Sequence, residues 1–188
     1  MRRGTDTKQR IERAALRLFV EQGIAETSIR EIAQTAGVSQ GAMYNHYPSK
    51  EDLAWSLFSE NFSELGTELR RRAQEQPTIE SKLRSMIGHV FDRFDEDWVL
   101  ISFSFLVRHQ HLRRVTHRMS NPYIVFRSVI AEAIGKGEVP KQDADLAASL
   151  VTGAIMQIID VRIWGGLKGE LGRVADEVAA ACLRLLKA

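Results

Sequence analysis

The sequence predicts an all-α fold of about nine helices, and three observations support that prediction. Apolar residues recur at helical spacing along most of the chain, beginning with Ile11, Ala14 and Leu18. No segment shows a convincing strand pattern, in which apolar and polar residues alternate. Residues that typically begin or end helices stand between the apolar segments, so the chain divides into helices at defined points.

The first two predicted helices have clear ends. Helix one ends at Gly23, because glycine suits the left-handed conformation common after a helix. Helix two starts after Thr27 or Ser28, and Glu31 stands three residues beyond Ser28, as in a capping box. Gly37 ends this helix and permits a tight turn.

The next two helices place the expected domain boundary. Ser39 begins a short third helix that ends near Tyr47-Pro48. Ser49 begins a long fourth helix with acidic residues in its first turn, where the helix dipole favours them. We expect a domain of residues 1–50, a domain of residues 51–188, and helix four as the connection between them.

The rest of the chain predicts a helical bundle. One helix starts near Pro77-Thr78 and another at Asn121-Pro122, where proline occupies the first helical position. Glycines at 135 and 137 break the second of these. The segment 98–107 is apolar all round, so periodicity alone does not separate helix from strand. We assign it as helix because its neighbours are helical.

The composition predicts a globular protein of the cytoplasm. Hydrophobic residues make up 44% and charged residues 27% of the 188 positions, which excludes a mostly disordered chain. Cys182 is the single cysteine, so an intramolecular disulfide is impossible, and we expect no metal site and no cofactor. The polar N-terminus does not resemble a signal peptide, and the apolar segment 98–107 is too short to cross a bilayer. We therefore expect no membrane partner.

Helices two and three form a helix-turn-helix pattern. Val38, Met43 and Tyr47 are spaced to face the core of the module. The surface left outward carries small or polar residues, which lets a helix lie close to the floor of the DNA major groove. The same pattern also occurs in proteins that do not bind DNA. The charge distribution only suggests a polyanionic partner. Residues 1–50 carry eight Lys/Arg and five Asp/Glu, whereas the remainder carries 18 and 19.

Residues 8–58 closely resemble the DNA-binding domain of the TetR family of transcriptional regulators. The resemblance implies a homodimer on a palindromic operator, usually as a repressor released by a small-molecule effector, and not an enzyme. The family has phenylalanine more often than tyrosine at the position of Tyr47. The matching positions are 13–19, 23–24, 27–33 and 36–53.

Residues expected to contact DNA come from this resemblance and from the outward face of helix three. Gln40, Gly41, Ala42 and Tyr44 would approach bases, and Arg30 would contact a base or a phosphate. Backbone N–H groups at the starts of helices two and four would bind phosphates. The full predicted set is Thr27, Ser28, Arg30, Ser39, Gln40, Gly41, Ala42, Tyr44, Asn45, His46 and Lys50.

Two C-terminal helices, near residues 143–164 and 170–186, are apolar over wide faces and rich in alanine. In the family such a pair forms a four-helix interface with a second copy, although the same faces could simply complete the core of one chain. The predicted interface residues are Leu150, Ala154, Ile155, Val174, Val178, Cys182 and Leu185.

The middle helices are rich in aromatic residues, and the family places its effector cavity there. Apolar walls suit a small lipophilic or aromatic effector, although each aromatic could equally be plain core. His109, His111 and His117 do not share one helical face, and the nearby arginines oppose a bound cation, so no metal site is expected. The predicted pocket residues are Phe62, Phe91, Phe94, Trp98, Phe103, Phe105, Tyr123, Phe126 and Ile158.

Overall fold

The computed structural model describes residues 2–116 and 119–188, and its side chains from residue 6 onward outside that gap. His117, one of the three histidines considered above, lies outside these residues. The all-α prediction is confirmed, because the described residues form nine α-helices, two short 3-10 turns and no strand. The helices are α1 Arg2–Glu26, α2 Ile29–Ala36, α3 Gln40–Tyr44, α4 Lys50–Gln74, α5 Ile79–Glu96, α6 Trp98–His111, α7 Pro122–Gly135, α8 Ala144–Ile163 and α9 Ala175–Lys187.

Most of the predicted helix ends are present. Ser28 and Glu31 form the reciprocal capping box at the start of α2, and Gly37 ends that helix in the left-handed conformation. Asn121 caps α7 through its side-chain oxygen, with proline following it. Gly23 has a φ of 86° but a ψ of 160°, so it breaks α1 by a kink and one more turn follows. These features are local, which explains why the sequence alone predicts them.

The chain forms two compact units, and the first division between them falls within α4. The first unit comprises the chain up to Asn61 together with Val99–Thr116; the second comprises Phe62–Trp98 and the residues from Met119 onward. Helix α6 therefore belongs mostly to the N-terminal unit. Its apolar residues contribute to that core, since Phe103 is fully buried and stacks on Phe19 with ring centroids 5.7 Å apart.

The core of the first unit joins α1 to α4 with α6. Ile11, Ile32, Met43 and Leu53 are fully buried, one from each of the first four helices. Burial of such side chains contributes roughly 1.5–3 kcal/mol each, so this module has a well-defined packed core.

The second unit is built from α5 packed on α9 and α7 packed on α8. Its turns are held by carboxylates that accept backbone hydrogen bonds. Asp95 accepts from the N–H groups of Leu171 and Gly172 at 3.0 and 2.8 Å, and Glu138 accepts from that of Ile79 at 2.6 Å. These contacts tie residues more than 50 positions apart in sequence.

Candidate nucleic-acid interface

The turn between α2 and α3 is fixed by backbone conformation and by one arginine. Gly37 has a φ of 65°, which a residue with a side chain adopts only at a cost. The Arg10 guanidinium donates hydrogen bonds to the carbonyls of Ala36 and Gly37, the latter at 2.9 Å. Sequence reasoning did not identify Arg10, because its partners lie 26 and 27 residues away. These contacts fix the angle between α2 and α3.

Helix α3 has an inner side that is anchored and an outer side that is open. Ser39 caps it by accepting from the Ala42 N–H at 3.1 Å. Met43 is fully buried, and Tyr47, three residues beyond the helix, is 5% exposed. The outer side therefore presents the predicted reading residues: Gln40, Gly41, Tyr44 and Asn45 are exposed, and Ala42 and His46 are half-buried.

Two of the predicted phosphate contacts are engaged inside the module. The Lys50 ammonium donates to the carbonyls of Ala25 and Thr27 at 2.7 and 2.8 Å. Thr27 is buried, and its hydroxyl donates to the Gly23 carbonyl at 2.7 Å. Both side chains hold the end of α1 against the starts of α2 and α4. These hydrogen bonds give both side chains a structural role, and their contact with DNA stays a prediction.

A cleft lies beside the start of α2 and the start of α4. It has a volume of about 370 Å³, and Ser28, Tyr44 and Ser49 are among the residues that line it. The first-turn N–H groups of a helix have no acceptor within the helix, so both helices direct partial positive charge into this cleft. Glu26 and Glu51 also line it, which restricts where an anion can approach.

At the start of α2, the Glu31 carboxylate forms hydrogen bonds with the side chain and with the backbone N–H of Ser28. These hydrogen bonds lower the pKa of Glu31. Its carboxylate therefore stays ionised and continues to accept from Ser28, at 2.8 Å. Arg30, in the same turn, is exposed. Arg30 is thus the predicted cation of α2 that remains available to a polyanion.

The predicted pocket residues divide between the two units. Phe103 and Phe105 belong to the first, and the other seven to the second. Phe91, Phe94 and Phe126 are buried in the second unit, whereas Trp98 is 54% exposed. The shared cavity that sequence reasoning proposed for all nine remains a prediction.

The predicted interface residues also separate into two groups. Leu150 and Leu185 are exposed, at 48% and 37%, and Ala154, Val174 and Val178 are half-buried. Ile155 and Cys182 are 4% and 2% exposed, so their side chains belong to the core of the second unit and offer little surface to another chain. A helix packed on one side turns every third or fourth residue inward, and the contact of these two residues with a second copy stays a prediction.

No group of three or more potential metal ligands occurs among the residues that the structure describes. The lone thiol, Cys182, is buried, and burial raises its pKa. These findings direct attention to the surface of α3.

Comparison with known proteins agrees with this geometry. Residues 11–57 match the family model described as bacterial regulatory proteins, tetR family. The regulator AcrR of Shigella flexneri is 41% identical over 90 residues, a match that covers 46% of this chain and 41% of AcrR. The chain thus matches less than half the length of that relative.

Two further proteins match over most of the chain. The fatty acid metabolism regulator protein of Bacillus subtilis is 25% identical, with 88% of each protein covered. The crystal structure of the regulator FadR from Bacillus subtilis in complex with stearoyl-CoA has a TM-score of 0.75 at 22% identity, covering 93% of this chain and 97% of that one. This likeness extends the shared fold beyond the N-terminal module. The N-terminal module, at residues 11–57, thus matches the TetR family of bacterial regulatory proteins.

Proposed function

We propose that the protein is a transcriptional repressor that binds a palindromic operator as a homodimer and releases it when a lipophilic effector binds. The observation that carries this proposal is the two-sided α3, which is anchored inward by Met43 and presents Gln40, Gly41 and Tyr44 to a partner. Five residues expose too few groups to specify a site alone, and a symmetric pair doubles the reading surface.

On DNA, α3 enters the major groove. Gln40 pairs with a base edge, adenine being the usual partner of its amide, and the absent side chain of Gly41 allows close approach. Tyr44, which is 54% exposed, and the N–H groups at the starts of α2 and α4 contact the backbone around the groove. Arg30 and His46 add contacts on either side. The cytoplasm is the location that fits this role.

The outer faces of α8 and α9 form the dimer interface. Leu146 and Leu150 of α8, and Trp164 directly after it, are 61%, 48% and 76% exposed in the single chain. Helix α8 is long and apolar enough to cross a membrane by length and composition, yet only 28% of its most apolar window is buried. A second copy of the same pair covers these residues and makes a four-helix contact, which fits a regulator better than a membrane span.

The effector is a lipophilic molecule bound among the aromatic residues of the middle helices. The sequence from Trp98 to Ala131 contains no Asp or Glu and includes five arginines. An amphiphile with an anionic head group suits such a region. Because one relative is named for fatty acid metabolism and one structural neighbour contains stearoyl-CoA, long-chain acyl compounds are the first effectors to screen.

Effector action follows from two conformations with different affinities for the ligand. Helix α4 runs without interruption from the N-terminal unit into the second unit, so a shift of its C-terminal half moves the module that carries α3. The ligand binds the conformation that releases DNA more tightly than the one that binds DNA. The ratio of these two ligand affinities sets how far the affinity for the operator falls.

The test is selection of a preferred duplex from a random-sequence pool, followed by titration at several salt concentrations. We expect two protomers per site, a steep loss of affinity with salt, and a loss of about 1–3 kcal/mol for Gln40→Ala at its base pair. Tyr44→Ala should weaken binding to all sequences. Leu106→Ala, at an exposed position of α6, serves as the control. Failure to enrich any sequence contradicts the proposal.

A further inference from the structure

A polar contact holds the chain just after α3 against α1. The Tyr47 hydroxyl donates to the Glu12 carboxylate at 2.6 Å, and the two residues are 35 positions apart in sequence. The tyrosine is 5% exposed, so most of its side chain is shielded from water, and its contact with Glu12 is partly buried. Burial, and then the neighbouring Glu12, raise the pKa of Tyr47, so the hydroxyl keeps its proton and remains a donor. Charge-assisted hydrogen bonds of this kind are short and directional.

The contact continues from α1 to α4. Lys8 lies 3.4 Å from the Glu12 carboxylate and 3.8 Å from that of Glu60. The Ser56 hydroxyl donates to Glu60 at 2.6 Å. The lysine and Glu60 are well exposed, so these outer links are weaker than the inner contact. Together they connect the segment after α3, the proposed recognition helix, to α1 and to Ser56 and Glu60 of α4.

Packing alone does not require the Tyr47 hydroxyl. A phenylalanine fills the same space with the same ring, and the carboxylate would retain its lysine. The hydroxyl therefore adds a directional hydrogen bond to a contact that is otherwise apolar. This hydrogen bond orients the Tyr47 ring toward Glu12. A directional bond limits rotation about α3 in a way that burial, which has no preferred direction, does not.

Helix α3 depends on such anchors because of its length. It has five residues, and isolated helices shorter than about 12 residues are marginal in water. The last amides of this segment, those of Asn45, His46 and Tyr47, donate to the carbonyls of Gly41 and Met43. The orientation of the reading surface is thus set by the Ser39 cap, the buried Met43 and the contact of Tyr47.

We infer that Tyr47 and Glu12 form a latch that fixes the orientation of the recognition helix, and that Lys8 and Glu60 extend this latch to α4. Tyr47 is a positioning residue, because it acts through the base-reading side of α3, Gln40 and Gly41, and does not itself touch DNA. The inference rests on the proposed function, since orientation has a consequence only if α3 reads bases. Without the latch, contacts with phosphates persist, whereas contacts with base edges lose their geometry.

The first experiment measures the ratio of affinities for the selected duplex and for a scrambled duplex, at a temperature where each variant is fully folded. We expect Tyr47→Phe and Glu12→Ala each to lower this ratio about tenfold, as loss of a charge-assisted hydrogen bond suggests. The double variant should lower it no further, because both changes break the same contact. Glu12→Gln keeps an accepting oxygen and should recover most of the ratio.

A matched control removes a hydroxyl elsewhere. In α7 the Ser128 hydroxyl donates to the Ile124 carbonyl at 2.8 Å, and Ser128→Ala should leave the ratio unchanged. A merely stabilising role for Tyr47 would not change the ratio while the protein remains folded. An unchanged ratio in Tyr47→Phe, or full additivity in the double variant, would overturn the latch.

A second experiment needs no DNA. Hydrogen exchange should become faster at the amides of Asn45, His46 and Tyr47 in Tyr47→Phe, and stay constant at Val38, which donates to the Ala33 carbonyl at 2.9 Å in the preceding turn. If the wild-type protein shows no sequence preference, the proposed function fails. The hydrogen-exchange measurement then remains as the test of the latch. Equal exchange in the variant and the wild type then rejects it.

Discussion

The two compact units present opposite kinds of outer surface. The outward residues of α3 in the first unit are small or polar, and Tyr44 is the one large ring among them. In the second unit Leu146 and Leu150 of α8 and Trp164 at its C-terminal cap are all substantially exposed. A polar surface keeps favourable contacts with water and with a polyanion, whereas exposed leucines gain by leaving water. The surfaces themselves therefore indicate two different partners.

The units also differ in how their parts are held. Side chains in the first unit donate across long sequence distances to backbone carbonyls, as Arg10 and Lys50 do. In the second unit, carboxylates such as Asp95 accept from backbone N–H groups, and large helix faces pack together. A small module that must present one surface at a fixed angle needs directional bonds, whereas a bundle can rely more on packing.

The largest expected effect comes from placing a charge on the apolar surface of the second unit. Leu150→Glu should weaken self-association more than 100-fold, because an unpaired carboxylate would be buried between two copies. Sedimentation velocity over a range of concentrations measures this. Leu106→Glu in α6, at a position that is 59% exposed, is the control and should remain dimeric. A Leu150→Glu protein that stays dimeric would show that α8 does not form the interface.

Two glycines of the first unit should respond in opposite directions. At Gly37, with a φ of 65°, an added Cβ would lie 2.6 Å from an Arg10 nitrogen, so Gly37→Ala should lower the free energy of unfolding by about 1–2 kcal/mol. At Gly41 the nearest such atom is 3.9 Å away, so Gly41→Ala should raise it by up to about 1 kcal/mol.

Gly41→Ala should nevertheless weaken operator binding, because the new methyl group points toward the bases. Urea unfolding and duplex titration of the same two variants separate the effects. A Gly41→Ala protein that is more stable and binds DNA as tightly as the wild type would mean that close approach is not needed there.

A buried lysine distinguishes the second unit. Lys82 is 8% exposed, and its ammonium lies 2.9 Å from the Glu132 carboxylate. Glu132→Gln should lower the free energy of unfolding by about 1 kcal/mol, less than for a fully buried pair because Glu132 is 42% exposed. Glu170→Gln, which removes an exposed partner of Arg173, should have no more than about half that effect. Equal effects would contradict a special role for the pair.

The same pair predicts a pH dependence. Hydrogen bonds from Lys136 and then Lys82 lower the pKa of Glu132 from 4.5 to about 2. The folded state therefore holds the carboxylate ionised, and the resulting stability is present above pH 4.5 and is lost as the pH falls toward 2. Glu132→Gln should flatten the acid limb of the stability profile in this window.

The smallest expected effect concerns a buried histidine of the first unit. His111 lies among the rings of Trp55 and Phe58, with centroids 5.6 and 5.3 Å away. Burial, and then the nearby Arg114, lower its pKa below 6.5. The folded state thus disfavours protonation, and stability should decline as the pH falls from 6.5 through the lower folded pKa.

His111→Phe should reduce this decline, and His109→Gln, at an exposed position, should not. Urea unfolding at pH 7 and at pH 5 provides the comparison. His89 in the second unit also has a lowered pKa through burial, so part of the slope should survive in His111→Phe. Identical slopes in the His111→Phe and wild-type proteins would contradict the assignment.

Sequence reasoning was most successful where a feature depends on neighbours in the chain. The capping box of Ser28 and Glu31, the turn at Gly37 and the start at Asn121 were all confirmed, because each involves residues within a few positions. The helical assignment of the segment 98–107 was also confirmed, although its periodicity left a strand open.

Features that depend on distant residues were not predicted. The roles of Arg10 and Lys50 involve carbonyls more than 20 positions away, so no local pattern reveals them. The same limit applies to the burial of Ile155 and Cys182, two of the predicted interface residues. An apolar residue on a wide apolar helix gives no signal that separates its two sides. The packing of α6 in the first unit also depends on residues distant in sequence, so it could not be predicted.

The short α3 limits how binding preference can be re-engineered. Of its surroundings, Ser39, Met43 and Tyr47 serve the module, which leaves Gln40, Gly41, Ala42 and Tyr44 as positions that can vary without loss of the fold. Grafting these four side chains from another protein with a matching N-terminal module, with the rest of the chain unchanged, is therefore the most direct way to change its binding preference.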